Sequence, residues 1–183
     1  MNLTRCESKP TMKTMSDLSG SDKHCVFRSG LSWFSVPAIS IREISIAPEI
    51  VAVPHCHSAF AGLCHLRSEF IPVILLNSLL DIDASVAPQT HNKLMVINGH
   101  SVWALLIAEA ASLESLETLA TPEIRGDDMK QSAIMGTCMY RGQIVRVLDP
   151  TRVFRLAQQA LESFWQNTQA PHHQSRSTAG SLR

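Results

Sequence analysis

The sequence predicts an all-β fold completed by one C-terminal helix. Three observations carry this. Short apolar runs recur between turn signals, as in 25–27, 32–36, 70–76, 93–97 and 102–108. Asn98-Gly99 and Arg141-Gly142 stand between such runs, where a hairpin turn needs them. Only one stretch, after Asp149, keeps a helical spacing of apolar residues.

The elements follow in order. Residues 1–23 are polar, with Ser, Thr, Pro10 and Gly20, and are expected to form a disordered arm. Cys25-Val26-Phe27 and Ser32–Val36 flank Gly30 and read as a hairpin. Ile39, Ile41, Ile44 and Ile46 alternate with polar residues, and Arg42-Glu43 interrupts the alternation, which predicts a bulge or a bend. Ile50–Val53 is a short extended piece, and 55–61 a loop. Residues 62–67 alternate as a strand, Ser68-Glu69 turn the chain, and Phe70–Leu76 reads as a buried strand. Pro72 lacks an N–H, which predicts an edge strand or a bulge there. Residues 78–80 close with one helical turn.

Residues 81–92 form a polar loop, and 93–97 and 100–108 a hairpin across Asn98-Gly99. In 110–119, Leu113, Leu116 and Leu119 recur every third residue, a pattern open to helix or strand. Residues 121–131 are a second polar loop. Residues 132–140 and 143–148 form a third hairpin. Asp149 then suits an N-cap and Pro150 the first helical position. Val153, Ala157, Ala160, Leu161, Phe164 and Trp165 mark one helical face. Residues 167–183 are expected to form a disordered tail, which leaves 24–166 as one folded domain. Close-spaced short strands of this kind build a barrel or a sandwich.

Composition excludes several functions. Sixteen basic residues balance sixteen acidic ones without a basic run, so nucleic acid is not an expected partner. The longest apolar runs fall far short of the ~20 residues of a spanning helix. The first residues lack the apolar stretch of a secretory signal, so a cytoplasmic protein is expected. The five cysteines follow no disulfide spacing, and Cys25, Cys64 and Cys138 read as small hydrophobes within strands. No Gly-rich phosphate loop is present, and the carboxylates read as solvated. No cofactor and no catalytic residue is expected. The alternative is a metal site in the segment from His55 to His65, with Cys56, His57 and Cys64. Against it, neighbours Cys64 and His65 on a strand point to opposite faces.

One ordered series of motifs resembles a known family. It comprises Trp33-Phe34-Ser35-Val36-Pro37, Ile41-Arg42-Glu43-Ile44, Val53-Pro54, Phe60–Arg67, and Ile71-Pro72-Val73-Ile74. The closing block is Ile134-Met135-Gly136 and Ile144–Pro150. Together these resemble the CheW-like domain of chemotaxis coupling proteins. The resemblance implies two small packed β-barrels (SH3-like subdomains) with a C-terminal helix and no catalysis. It implies an adaptor that binds a CheA-type histidine kinase and a methyl-accepting chemoreceptor. It also implies that Ile41, Glu43, His65, Leu66 and Arg67 serve partner binding, with Glu43 and Arg67 paired across adjacent strands. The chain departs from the family pattern at His65, Ser68, Leu75, Asn77, Ala104 and Ala108. These departures imply a divergent member, such as one of a pilus-linked or other non-flagellar pathway.

Overall fold

A computed structural model describes residues 23–82, 92–116, 119–120 and 129–169. Most of both expected tails and of the two polar loops lies outside the described residues. The first lobe holds β1 (Lys23–Ser29), β2 (Ser32–Pro37), β9 (Glu109–Ser115), β10 (Leu119–Ala120), β11 (Ile134–Tyr140) and β12 (Gln143–Leu148). Its strand order is β10-β11-β12-β2-β1-β9. A 3-10 turn (Ala38–Ser40) leads into the second lobe. There lie β3 (Ile41–Ile46), β4 (Ile50–Val51), β5 (Phe60–Leu66), β6 (Glu69–Ile74), β7 (Lys93–Ile97) and β8 (Trp103–Ile107), ordered β3-β7-β8-β6-β5-β4. Short helices α1 (Leu76–Leu80) and α2 (Met129–Ser132) and the long α3 (Pro150–Gln169) complete the chain.

The second lobe is thus a continuous insertion between β2 and β9. Both sheets repeat one pairing pattern. Two antiparallel hairpins join through a parallel pair of their second strands, β2 with β12 and β6 with β8. An outer strand then flanks each hairpin. No internal repeat in the sequence announces this, because backbone pairing recurs without side-chain identity.

Each sheet is forced to curl. In both, the two outermost strands are consecutive in the chain: β3 with β4, and β9 with β10. The connector 47–49 lets the chain reach about 14 Å from Ile46 to Ile50. A flat six-stranded sheet is roughly 24 Å across. The edges must therefore swing toward each other. The expected closed barrels do not result, however, since no ladder joins β3 to β4 or β9 to β10 among the described residues. The physical reason is length. β4 and β10 have two residues each, too few to complete a ladder.

The largest core lies between the lobes. Cys25, Phe27, Phe34 and Val36 from the first sheet meet Met95, Ile97, Trp103, Leu105 and Ile107 from the second. Leu76 and Leu79 of α1 and Val153, Leu156 and Ala157 of α3 cover it. Two aromatic pairs sit inside, Phe27–Phe34 and Trp103–Phe154, with ring centroids 5.9 and 5.7 Å apart. Each lobe also has its own inner cluster, around Val26, Cys138, Val145 and Val147 in the first and Cys64, Ile71, Val73 and Leu94 in the second. Strands β1, β7 and β8 are therefore buried on both faces, which is why their sequences run apolar without alternating.

Several expectations change. The bulge at Arg42-Glu43 is present as a register shift between Ile41 and Glu43. The strand holding Pro72 is not an edge: β6 lies between β5 and β8, and the bulge of its hairpin falls on β5, between Phe60 and Gly62. Pro72 is tolerated because β8 pairs only with Val73 and Ile74. Asn98-Gly99 is not a two-residue turn. The ladder ends at Ile97 opposite Trp103, leaving residues 98–102 as the loop. A two-residue turn with both residues left-handed does form at Arg141-Gly142, with φ of 49° and 77°. Residues 109–115 form a strand, pairing with β1. Asp149 caps α3, its Oδ1 accepting the amides of Thr151 and Arg152 at 2.9 and 3.2 Å. The helix continues through 167–169, which the sequence pattern assigns to the tail.

A buried polar clasp joins the lobes. Asn77 of α1 donates from Nδ2 to the Ser29 carbonyl at 3.2 Å, and Ser29 Oγ donates to Asn77 Oδ1. Gly30 makes room for it: a Cβ there would stand 2.6 Å from Asn77 Nδ2, and its φ is +59°. Replacing Asn77 with Ala strands buried polar groups of the β1–β2 turn. It should lower the unfolding free energy in urea by about 1–3 kcal/mol. Burial raises the thiol pKa of Cys25, Cys64 and Cys138 above the ordinary value. In a DTNB assay these three should react only on unfolding, while the half-exposed Cys56 reacts in the folded protein.

Candidate partner-binding site

The site is built on the turn between β5 and β6. Leu66 and Glu69 are register partners, so Arg67 and Ser68 form a two-residue hairpin loop. Both have left-handed backbones, with φ of 48° and 67°. That geometry matches the twist of the flanking strands. It disfavours side chains other than Gly, by roughly 1–2 kcal/mol per residue.

From this turn Arg67 reaches β3. Its Nη2 lies 2.7 Å from Glu43 Oε2. Beside it, Arg42 Nη1 lies 2.6 Å from Glu69 Oε2. The two pairs have opposite polarity: β3 supplies a cation and an anion, and the hairpin supplies their complements. Glu43 and Arg67 do not sit on adjacent strands, as the resemblance implies. β7, β8 and β6 separate β3 from β5 in the ladder. They meet because the sheet curls, and their side chains bridge the seam that backbone bonds leave open. The bulge at 41–43 allows consecutive residues Arg42 and Glu43 both to engage the same turn. Glu43 is largely shielded, its side chain 18% exposed, and its Oε1 has no partner among the described residues. Arg67 is 68% exposed and leaves much of its guanidinium to solvent.

The other sequence-derived candidates divide. His65 is exposed, its ring centroid 5.2 Å from that of Phe70. Ile41 packs against the shared core and Leu66 against the second lobe's inner cluster, so they support the site from beneath. Sequence reasoning missed the apolar surface beside it. Ile44 and Ile46 of β3 are exposed, and Val51 and Phe70 are also exposed. Ile46 is 82% and Phe70 76% exposed, against the expectation of a buried strand at Phe70. Register places Ile41, Ile44 and Ile46 on one face of the sheet, opposite Ile97, Met95 and Lys93; the shared core covers that face at Ile41 and leaves it open at Ile44 and Ile46.

Two further features bear on binding. On the first lobe Met139 and Ile144 are cross-strand partners, both exposed, with Met135 nearby on β11. Between the lobes a groove of about 420 Å³ runs along Pro37, Ile39, Ile97, Trp103, Phe154 and Arg155. The metal alternative finds a different arrangement. Cys64 is buried while His65 is exposed, and His57 Nδ1 accepts the Ala59 amide at 3.1 Å. No group of three His, Cys, Asp or Glu residues able to hold a metal lies among the described residues.

Ser68→Gly relieves one left-handed side chain and should raise stability by about 1 kcal/mol. Arg67→Ala removes a pairing whose cation is exposed though its carboxylate is largely shielded, and should lower it by no more than about 1 kcal/mol. Urea denaturation at neutral pH measures both.

No curated protein matches the chain. Among solved structures, it is similar to the scaffolding protein TtCheW from Thermoanaerobacter tengcongensis. The TM-score is 0.60 at 15% identity, over 73% of this chain and 92% of that one, a likeness of fold. Residues 23–158 match the CheW-like domain. With the match spanning both lobes and the start of α3, the chain belongs to the CheW-like domain family, the non-enzymatic scaffolds of chemotaxis signalling.

Proposed function

We propose that this chain is a cytoplasmic adaptor that couples a methyl-accepting chemoreceptor to a CheA-type histidine kinase. Its folded unit is taken as 24–166. One observation carries the reading: charged pairs at the seam of the second lobe stand next to exposed Ile44, Ile46 and Phe70. Exposed apolar side chains beside a rim of charges are what a protein-binding surface requires. The exposed Arg67 fork suits bidentate recognition of a partner carboxylate.

The kinase is assigned to the second lobe's surface, where Glu43 and Arg67 set the register and Ile44 and Ile46 supply apolar area. The receptor, a helical partner, is assigned to the groove between the lobes, where Trp103 and Phe154 form the apolar floor. The Met139–Ile144 pair offers a second, weaker contact on the first lobe. Several weak sites on one chain raise avidity through effective concentration. The drift at Ser68, Leu75, Asn77 and Ala108 supports a non-flagellar pathway, a pilus-linked one included. No helix among the described residues is long and apolar enough to cross a membrane, which accords with membrane contact through the receptor alone.

Titration calorimetry against the regulatory domain of a CheA-type kinase tests the reading. Binding at tens of micromolar or tighter is expected. Arg67→Glu and Ile46→Asp should each weaken it at least tenfold, about 1.4 kcal/mol. The charge-swapped double variant E43R/R67E should restore stability but not binding, because the partner reads the charges. Wild-type protein that binds neither kinase nor receptor fragment at these concentrations would refute the assignment.

A further inference from the structure

The family match ends at residue 158, but α3 continues to Gln169. The added turns fold back onto the second lobe. Leu161 packs with Ala157 beside Ala59, Phe60 and Ile74. Phe164 meets the His57 ring edge-on, with centroids 6.1 Å apart and planes at 90°. On its other side His57 Nδ1 accepts the Ala59 amide at 3.1 Å. One imidazole therefore holds the loop backbone and the helix together.

We propose that the distal half of α3 is a pH-sensitive strap, docked on the second lobe while His57 is neutral and released when its imidazole gains a proton. The chemistry lies in the Nδ1 atom. Neutral imidazole can accept the Ala59 hydrogen there, whereas the cation carries a proton on both nitrogens and can only donate. A proton on Nδ1 faces the Ala59 N–H head-on. No counter-charge to His57 lies among the described residues. The gap beside His57 is lined by Ala59, Phe60, Ile74, Ala157 and Leu161, none charged. On the helix, Arg155 and Glu162 are exposed. On the hairpin, Arg67 and Glu69 are engaged with β3. In the loop itself, His55 is exposed and Cys56 half-exposed, and Glu49 before it is exposed. No ion pair to His57 forms among the described residues. The docked state is thus complete at higher pH and lost as pH falls.

Hydrogen exchange of the amides of residues 160–168, at pH 7.5 and 5.5 and corrected for intrinsic exchange rates, tests this. That interval spans the usual histidine charge change. The wild type should exchange several-fold faster at pH 5.5. His57→Asn keeps an acceptor oxygen and has no proton to gain, and should exchange at one rate at both pH values. His57→Ala should exchange fast at both. A wild type with equal protection at both pH values would overturn the proposal. So would either variant keeping the wild-type pH dependence. The ring signal of His57 in the unaltered protein gives an independent check: its titration midpoint must coincide with that of the helix exchange, and a mismatch also overturns it.

Discussion

Two three-residue connectors govern this molecule. Each joins the opposite edges of a six-stranded sheet, so neither sheet can lie flat. Curling brings β3 to the β5–β6 hairpin, and the short β4 leaves that contact without a backbone ladder. Side chains fill the gap. Arg42–Glu69 and Glu43–Arg67 join β3 to the β5–β6 hairpin, which at least two strands separate from it in hydrogen-bond order. Exposed ion pairs of this kind add little to stability, typically 0.2–1 kcal/mol each. The shared core, with Phe27, Phe34, Trp103 and Leu105 buried between the sheets, holds the fold. The seam charges are consequently available for recognition at small cost to the scaffold.

The strained turn supports the same division of labour. Arg67 and Ser68 both adopt left-handed backbones that Gly would take without penalty. Such conformations persist where surrounding structure holds them, and they concentrate at functional sites. The hairpin here is held by a ladder from Phe60–Ile74 to Leu66–Glu69. Its rigidity fixes where the Arg67 fork points.

Much of the fold was legible in the sequence. The three hairpins, the bulge at Arg42-Glu43, the Asp149 cap and the burial of Cys25, Cys64 and Cys138 follow from local chemistry, which acts over a few residues. The errors share another origin. Pro72 reads as an edge residue because sequence does not show that β8 begins pairing one residue later. Asn98-Gly99 reads as a tight turn, although the ladder stops at Ile97. Residues 109–115 resist assignment because Leu113 and Leu116 suit either periodicity, and only pairing with β1 decides. The candidate site was half visible. The motif series pointed to Glu43 and Arg67, and the geometry joins them. Ile44, Ile46 and Phe70 were hidden, because an apolar residue in an alternating strand reads as core until tertiary packing decides how far its face is covered.

The central claim is that the seam between β3 and the β5–β6 hairpin is where this scaffold meets its kinase. Hydrogen exchange of the chain, alone and saturated with the kinase regulatory domain, addresses it without altering any residue. The account predicts new protection in residues 41–46 and 66–70, beyond any change in the first lobe. Protection confined to β11, β12 or α3, with the seam amides exchanging as in the free protein, would contradict it.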